Sequence, residues 1–176
     1  MISIRIHGRG GQGSVTAAEL IAAAAFYDGK SSQAFPNFGV ERRGAPVTAF
    51  VRIDDNFIRL RSQVYNPDYV IIQDPTLIGG VDVFAGLKKD GVAIINTDKD
   101  EETKGVNTMA VPAVDIAIEI IGRPIVNTIL LGAFAGRSGL ISLKSVEKAI
   151  SEQFSKEIAA KNILAARAGF KLGKNQ

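Results

Sequence analysis

Cysteine is absent from the 176-residue sequence, and histidine occurs once, as His7. The first absence excludes disulfides, cysteine-ligated zinc and iron–sulfur clusters held by this chain. The second removes any histidine cluster for a metal and leaves His7, at the end of an apolar strand, with no evident group to orient it as a catalytic base. No apolar run approaches the ~20 residues of a membrane span. The N-terminus lacks a basic segment followed by a long apolar one, so no signal peptide is expected and the expected location is cytoplasmic. Charge of one sign is also lacking. The 21 Lys and Arg interleave with 18 Asp and Glu for a net +3, which is no nucleic-acid signature. There is no internal repeat and no low-complexity linker, and the mixed charges of 98–104 read as a solvated loop. With 46% hydrophobic content, the chain can bury one core, and a single domain over 1–176 is expected.

What is present is concentrated in two stretches. In the first, Ile2, Ile4 and Ile6 alternate as in a strand. Gly8, Arg9, Gly10, Gly11, Gln12 and Gly13 then make a glycine-dense turn, and Ser14 opens an Ala- and Leu-rich helix over 14–27. Four glycines in six positions permit positive φ and close approach of a ligand, while the helix start behind them offers unpaired N–H groups and a partial positive charge. An anion, above all a phosphate, suits such a place. Arg9 and Gln12 add donors that packing alone does not require. The spacing Gly8-x-Gly10-x-x-Gly13 also matches the dinucleotide fingerprint, although a tight strand-to-helix turn can be glycine-rich for packing reasons alone. A dinucleotide site wants a carboxylate at the end of the second strand. The second strand, over 31–35, ends in Ala34, Phe35, Pro36 and Asn37, with none. Ordinary NAD binding is disfavoured.

The second stretch runs from Phe35 to Pro46 and contains Asn37, Phe38, Val40, Glu41, Arg42, Arg43 and Gly44. It leaves the carboxyl end of the second strand, where open α/β sheets bind ligands, and its apolar residues call for packing on the first loop or on another chain. A hairpin of 47–53 with 57–61 through a turn at Asp55 and Asn56 puts every aliphatic on one face. It gathers Arg52, Arg59, Arg61 and Phe50 on the other, open to water or against acidic surface of a partner. Short apolar runs over 69–73 and 92–96 read as buried parallel strands, joined by a short helix near 81–87. A strand over 106–111 precedes helices over 113–121, 126–135, 142–154 and 156–170. Asp74, Asn96 and Thr97 end strands on the ligand edge, as contacts or caps. Asn127 and Thr128 open a very apolar helix, as caps or facing a ligand or neighbouring subunit. The fold class is α/β: a three-layer, Rossmann-like, mixed but mostly parallel sheet with an antiparallel hairpin and helices on both faces.

HGRGGQGSVTAAELIA, PNFGVERRGAPVTAFVRI and NTILLGAFA together resemble the gamma subunit of the 2-oxoacid:ferredoxin oxidoreductases, in the pyruvate-type branch. The resemblance spans nearly the whole chain. It implies a multi-subunit enzyme that decarboxylates a 2-oxoacid, passes electrons to ferredoxin and makes an acyl-CoA. Thiamine diphosphate, Mg2+ and iron–sulfur clusters are then expected on partner subunits. This chain would contribute coenzyme A binding and assembly, with no catalytic residue of its own, and an isolated copy can be a homodimer. The cofactor-binding set it implies is Gly8, Arg9, Gly10, Gly11, Gln12, Gly13, Ser14, Asn37, Glu41, Arg43, Gly44, Asn127 and Thr128. Arg42 departs from the family pattern, where an apolar residue is common. Two other readings stay open from the residues alone: a stand-alone Rossmann-type nucleotide-binding protein, and a purely structural interaction subunit.

Overall fold

The computed structural model describes residues 1–37, 43–99 and 105–175. Glu41 and Arg42, with Phe38 and Val40, lie outside the described residues, as does most of the charged 98–104 run. The chain runs β1 (Ile2–Arg9), α1 (Ser14–Tyr27), β2 (Ser31–Pro36), β3 (Pro46–Asp54), β4 (Tyr69–Ile72), a 3-10 turn (Pro75–Leu77), β5 (Val92–Asn96), β6 (Asn107–Val111), α2 (Ala113–Ile120), α3 (Asn127–Ser138), α4 (Leu143–Gln153) and α5 (Lys156–Lys174).

The sheet has six strands in the order β2-β3-β1-β4-β5-β6. β1, β4, β5 and β6 are parallel, and β3 runs against both of its neighbours, β1 and β2. The α/β class and the mixed, mostly parallel sheet are as expected. Insertion of β3 between β1 and β2 has a consequence for the nucleotide reading. Gly8 and Arg9 are opposite Val47 and Pro46, so the start of β3 fills the place beside the glycine turn where a dinucleotide fold sets its second strand and ribose carboxylate.

The expected hairpin does not form. β3 pairs with β1 and β2, while 57–61 is not a strand. The aliphatic face of β3 was correctly assigned, for Ala49, Val51 and Ile53 are buried beside Ile4 and Ile6. A whole apolar strand, β1, is simply a better partner than a segment that alternates aliphatics with arginines. The short helix near 81–87 is also absent, and Gly86 sits at φ +67, a left-handed conformation that ends any helix.

The two faces of the sheet differ in kind. All five α-helices among the described residues pack on one face, around Ile4, Ile6, Ile21, Val51, Ile71, Ile94 and Met109. The opposite face of β4 and β5 is covered by Leu77, Val83, Phe84 and Leu87 from the irregular stretch that follows β4. Helices on both faces, as expected from sequence, are therefore corrected to helices on one. The parallel β4-to-β5 link crosses that second face without any α-helix. In the helical layer α3 and α5 meet backbone to backbone. A Cβ on Gly169 would fall 2.0 Å from the carbonyl of Ile129, and one on Gly132 2.0 Å from that of Ala166. Glycine is the only residue that admits this approach.

Over β1 and β3 this second face buries polar groups as well. Arg5 and His7 point there from β1, and Arg5 Nε donates to His7 Nε2 at 3.0 Å. The Arg5 Nη2 donates to the carbonyls of Val83 and Ala85 at 3.1 and 2.6 Å. Burial and the adjacent Arg5 charge push His7 down to about 4, so it is a neutral acceptor at pH 7. Its structural role follows from that geometry.

Candidate functional site

β1 extends further than its alternation suggested, through Gly8 and Arg9. The turn proper is Gly10 to Gly13. Gly11 and Gly13 adopt φ +94 and +77, which is what the two glycines are for. Gly13 is the N-cap of α1 and supplies no side-chain cap. Among the described residues the N–H groups of Gly11, Gly13, Ser14, Val15 and Thr16 have no acceptor, whereas Ala17 N–H already bonds the Gly13 carbonyl at 2.9 Å. An uncapped helix start carries orphan donors and the positive end of the helix dipole. These donors border a depression of about 270 Å³ lined by Arg9, Gly10, Gly11, Gly13, Ser14, Val15 and Val47.

The remaining groups of the turn brace it. The Gln12 side-chain oxygen accepts from Arg9 N–H at 2.7 Å, and its amide donates to Asp74 at 3.1 Å. Arg9 Nε reaches the same Asp74 oxygen at 2.9 Å, Nη2 reaches Thr76 Oγ1 at 2.8 Å, and Nη1 reaches the Gly44 carbonyl at 3.1 Å. Burial opposes charge on Asp74, but hydrogen bonds from Thr76 and Gln12 and the Arg9 guanidinium hold its carboxyl below the usual carboxylate range. Asp74 is thus a cap, accepting from Thr76 N–H at 3.0 Å, and at once the counter-charge of Arg9. Ser14 Oγ donates to Gln73 at 2.8 Å. A Cβ on Gly8 would lie 2.4 Å from Ser14 Oγ and 2.6 Å from the Gln73 oxygen, so a side chain there would displace this hydrogen-bonded pair.

The two loops singled out in the sequence meet here. Gly10 N–H donates to the Ala45 carbonyl at 2.8 Å and Gly44 N–H to the Gly10 carbonyl at 3.1 Å, so Gly10 and Arg43 stand side by side. Asn37, at the other end of the second loop, is held elsewhere. It accepts from Gln63 Nε2 at 2.6 Å. Thr128 is fully buried and donates to Asn162 Oδ1 at 2.9 Å. It joins α3 to α5 through that bond. Asn127 is buried too, but its amide lies behind the turn, where a Cβ on Gly13 would meet it at 2.6 Å.

On the far side of Gly11 and Gln12 opens a cleft of about 340 Å³ at the carboxyl ends of the parallel strands. Gln73, Asp74 and Asn96 form its polar wall and Val114, Ile125 and Val126 its apolar one. Gln73 and the stretch before α3 were not among the expected site residues. The one signal for Gln73 is a polar residue closing an apolar strand; for Ile125 and Val126 there is none, because only the packing of α3 brings them to this edge. No group of three or more acidic or histidine side chains suited to a metal occurs among the described residues, and none of their helices is long and apolar enough to cross a membrane.

Residues 3–172 match the family model for pyruvate ferredoxin/flavodoxin oxidoreductase. The chain is 58% identical over 170 residues to the pyruvate synthase subunit PorC of Methanocaldococcus jannaschii, covering 97% of this chain and 96% of that one. It is 54% identical over 177 residues to the pyruvate/ketoisovalerate oxidoreductases common subunit gamma of Thermococcus litoralis, with coverage of 97% and 96%. The crystal structure of the pyruvate oxidoreductase subunit PORC of Thermotoga maritima superposes with a TM-score of 0.85 at 40% identity, covering 97% and 95% of the two chains.

Proposed function

This chain belongs to the pyruvate ferredoxin/flavodoxin oxidoreductase family as a gamma subunit, and on that premise we propose that the start of α1 holds the phosphates of coenzyme A for a larger enzyme. The observation that carries the reading is the uncapped helix start. Five N–H groups from Gly11 to Thr16 lack an acceptor among the described residues, at a depression bounded by an arginine. A phosphate supplies oxygen acceptors in number and a charge that the helix dipole favours.

The role of Arg9 is to set the loop more than to grip the ligand. Its fork is occupied by Asp74, Thr76 and the Gly44 carbonyl, so it fixes the second loop against the first. Arg43, beside Gly10, is placed to add a second guanidinium, and Glu41 belongs to the same proposed set. The adjoining cleft, with amide side chains on one wall and aliphatics on the other, suits the amide-bearing arm of coenzyme A.

Bond-making lies elsewhere in the complex. Thiamine diphosphate, Mg2+ and iron–sulfur clusters are assigned to the partner subunits, and ferredoxin meets the enzyme through them. A gamma subunit named as common to pyruvate and ketoisovalerate oxidoreductases in a relative supports substrate choice residing on those other chains. The setting that goes with this reading is cytoplasmic, and the isolated chain is assigned no turnover.

The test uses the assembled enzyme and the Gly13→Ala variant. A Cβ at φ +77 strains the helix start and displaces Asn127. The KM for coenzyme A should rise about tenfold while kcat at saturating coenzyme A is kept, the pattern of lost ground-state binding. Binding of pantetheine, which lacks the phosphates, should be unchanged. Equal weakening of both ligands, or no effect on either, contradicts the assignment.

A further inference from the structure

The segment after β3 does something other than close a hairpin. Ile58 and Val64 are buried and anchor it, whereas 59–63 is exposed throughout. Gln33 Nε2 donates to the Ile58 carbonyl at 3.1 Å, Ile58 N–H to Ser31 Oγ at 3.3 Å, and Gln63 Nε2 to Asn37 Oδ1 at 2.6 Å. It is therefore a strap laid along β2, the edge strand of the sheet, and it ends beside the start of the second signature loop.

The composition of its outer side is unusual for a surface facing only water. Phe57 is 82%, Tyr65 68% and Leu60 49% exposed, and Leu60 stands between the exposed Arg59 and Arg61. Neither arginine has an ion-pair partner among the described residues, and the nearest carboxylates in sequence are engaged elsewhere. Asp54 binds the N-terminal amine at 2.7 Å and Asp55 lies 3.6 Å from Lys30. Beneath the strap Arg52 is buried, its Nη2 donating to the carbonyls of Ser62 and Gln63 at 2.5 and 3.2 Å. Its Nη1 has no partner, and no carboxylate among the described residues neutralises it. Phe35 lies under its guanidinium, 5.2 Å from ring centroid to Cζ, and floors a groove of about 370 Å³ with Gln33, Ala34 and Arg61.

Two exposed guanidiniums without ion-pair partners and exposed aromatics on one strap, beside a groove floored by Phe35 and a buried Arg52 that no carboxylate among the described residues neutralises, describe half of an interface. We propose that this strap docks onto an acidic segment of another subunit of the oxidoreductase. That segment presents carboxylates to Arg59 and Arg61 and one apolar side chain to the Phe35 groove. Charge complementarity commits the occupant to an acidic partner, since a second copy of this chain would bring the same arginines face to face about a two-fold axis. The inference rests on membership of a multi-subunit family and is independent of coenzyme A binding.

The experiment is reconstitution of the complex from its own subunits with the double variant Arg59→Glu and Arg61→Glu. Association should weaken roughly a hundredfold, because attraction is replaced by like-charge repulsion. The wild-type association should itself weaken with added salt. The thermal midpoint of the isolated variant and coenzyme A protection of the α1 start should not move, which separates this outcome from failure of the ligand assignment. A photo-crosslinking side chain in place of Leu60 gives a second readout in the wild-type background. Capture of another subunit within an acidic stretch supports the proposal. Undiminished assembly of the double variant, or crosslinks only to a second copy of this chain, overturns it.

Discussion

The two faces of the sheet solve the same problem, keeping water from the strands, with different coverings. The helical face is covered by a large, mainly apolar core, and its tightest contact is backbone on backbone, where Gly169 meets Ile129 and Gly132 meets Ala166. The other face has no α-helix among the described residues, buries Arg5, His7 and Arg52, and is covered by irregular chain pinned through side-chain hydrogen bonds. The difference teaches where each task resides. The helical side holds the larger apolar core, and its glycines permit the close contact of α3 with α5. The carboxyl edge and the irregular side hold the groups with unfilled hydrogen-bonding or charge capacity, which are the ones a ligand or partner completes.

That division can be broken by substitution, and the largest effect belongs to the helical face. Gly169→Ala puts a Cβ 2.0 Å from a backbone carbonyl, and backbone on both sides cannot yield. A loss of about 3 kcal/mol or more is expected, seen as a fall in Tm on the order of 10 °C. A neutral outcome would show that α3 and α5 can slide apart, and the contrast between faces would fail.

Next in size is an acid response confined to the irregular face. His7 titrates near 4 in the folded chain, against about 6.5 unfolded. The unfolded state therefore takes up its proton first as pH falls, and stability drops between roughly pH 6.5 and 4 and levels off below. The full window is worth on the order of 3 kcal/mol. His7→Gln keeps an acceptor for Arg5 and should flatten this part of the curve in urea denaturation at pH 7 and pH 4.5. Identical acid sensitivity in both proteins would count against a buried neutral imidazole.

Smaller still is Gly11→Ala. Its Cβ would meet nothing within 4 Å, so only the backbone at φ +94 objects, at a cost of about 1–2 kcal/mol. Urea titration of the isolated chain measures it, and a loss as large as that of Gly169→Ala would mean that the turn is packed like the helices. Leu60→Ser should be the mildest change. In the isolated chain it should stay within about 0.5 kcal/mol of wild type, yet association with the other subunits should weaken by a measurable factor in the same reconstitution assay.

Much of this was readable in the residues where local and long-range preferences agree. The span 14–27 of α1 and the span 92–96 of β5 come out as observed, because each apolar pattern is bounded by its own glycine or polar stop. The segment 57–61 misled because a self-consistent register is not the same as the best partner. Ile58 is buried as that register requires, but Leu60 is half exposed and Arg52 opposes Ser3 and Gln33 in place of Arg59. In the site, the glycine turn was legible from its spacing. The docking of Gly10 on Arg43 and Gly44 was not, since it follows from the β1–β3 register, which places Arg9 opposite Pro46. The bond from Thr128 to Asn162 was hidden for a related reason: a hydroxyl at a helix start looks like a cap until its partner on α5 is brought across by packing.

The central claim is that backbone donors at the start of α1 take the phosphates of coenzyme A, and amide hydrogen exchange on the assembled enzyme tests it most directly. With coenzyme A bound, amides from Gly11 to Thr16 should exchange more slowly, by about tenfold or more, while pantetheine leaves them unchanged. Exchange at those amides that ignores coenzyme A, with protection confined to other subunits, would contradict the account.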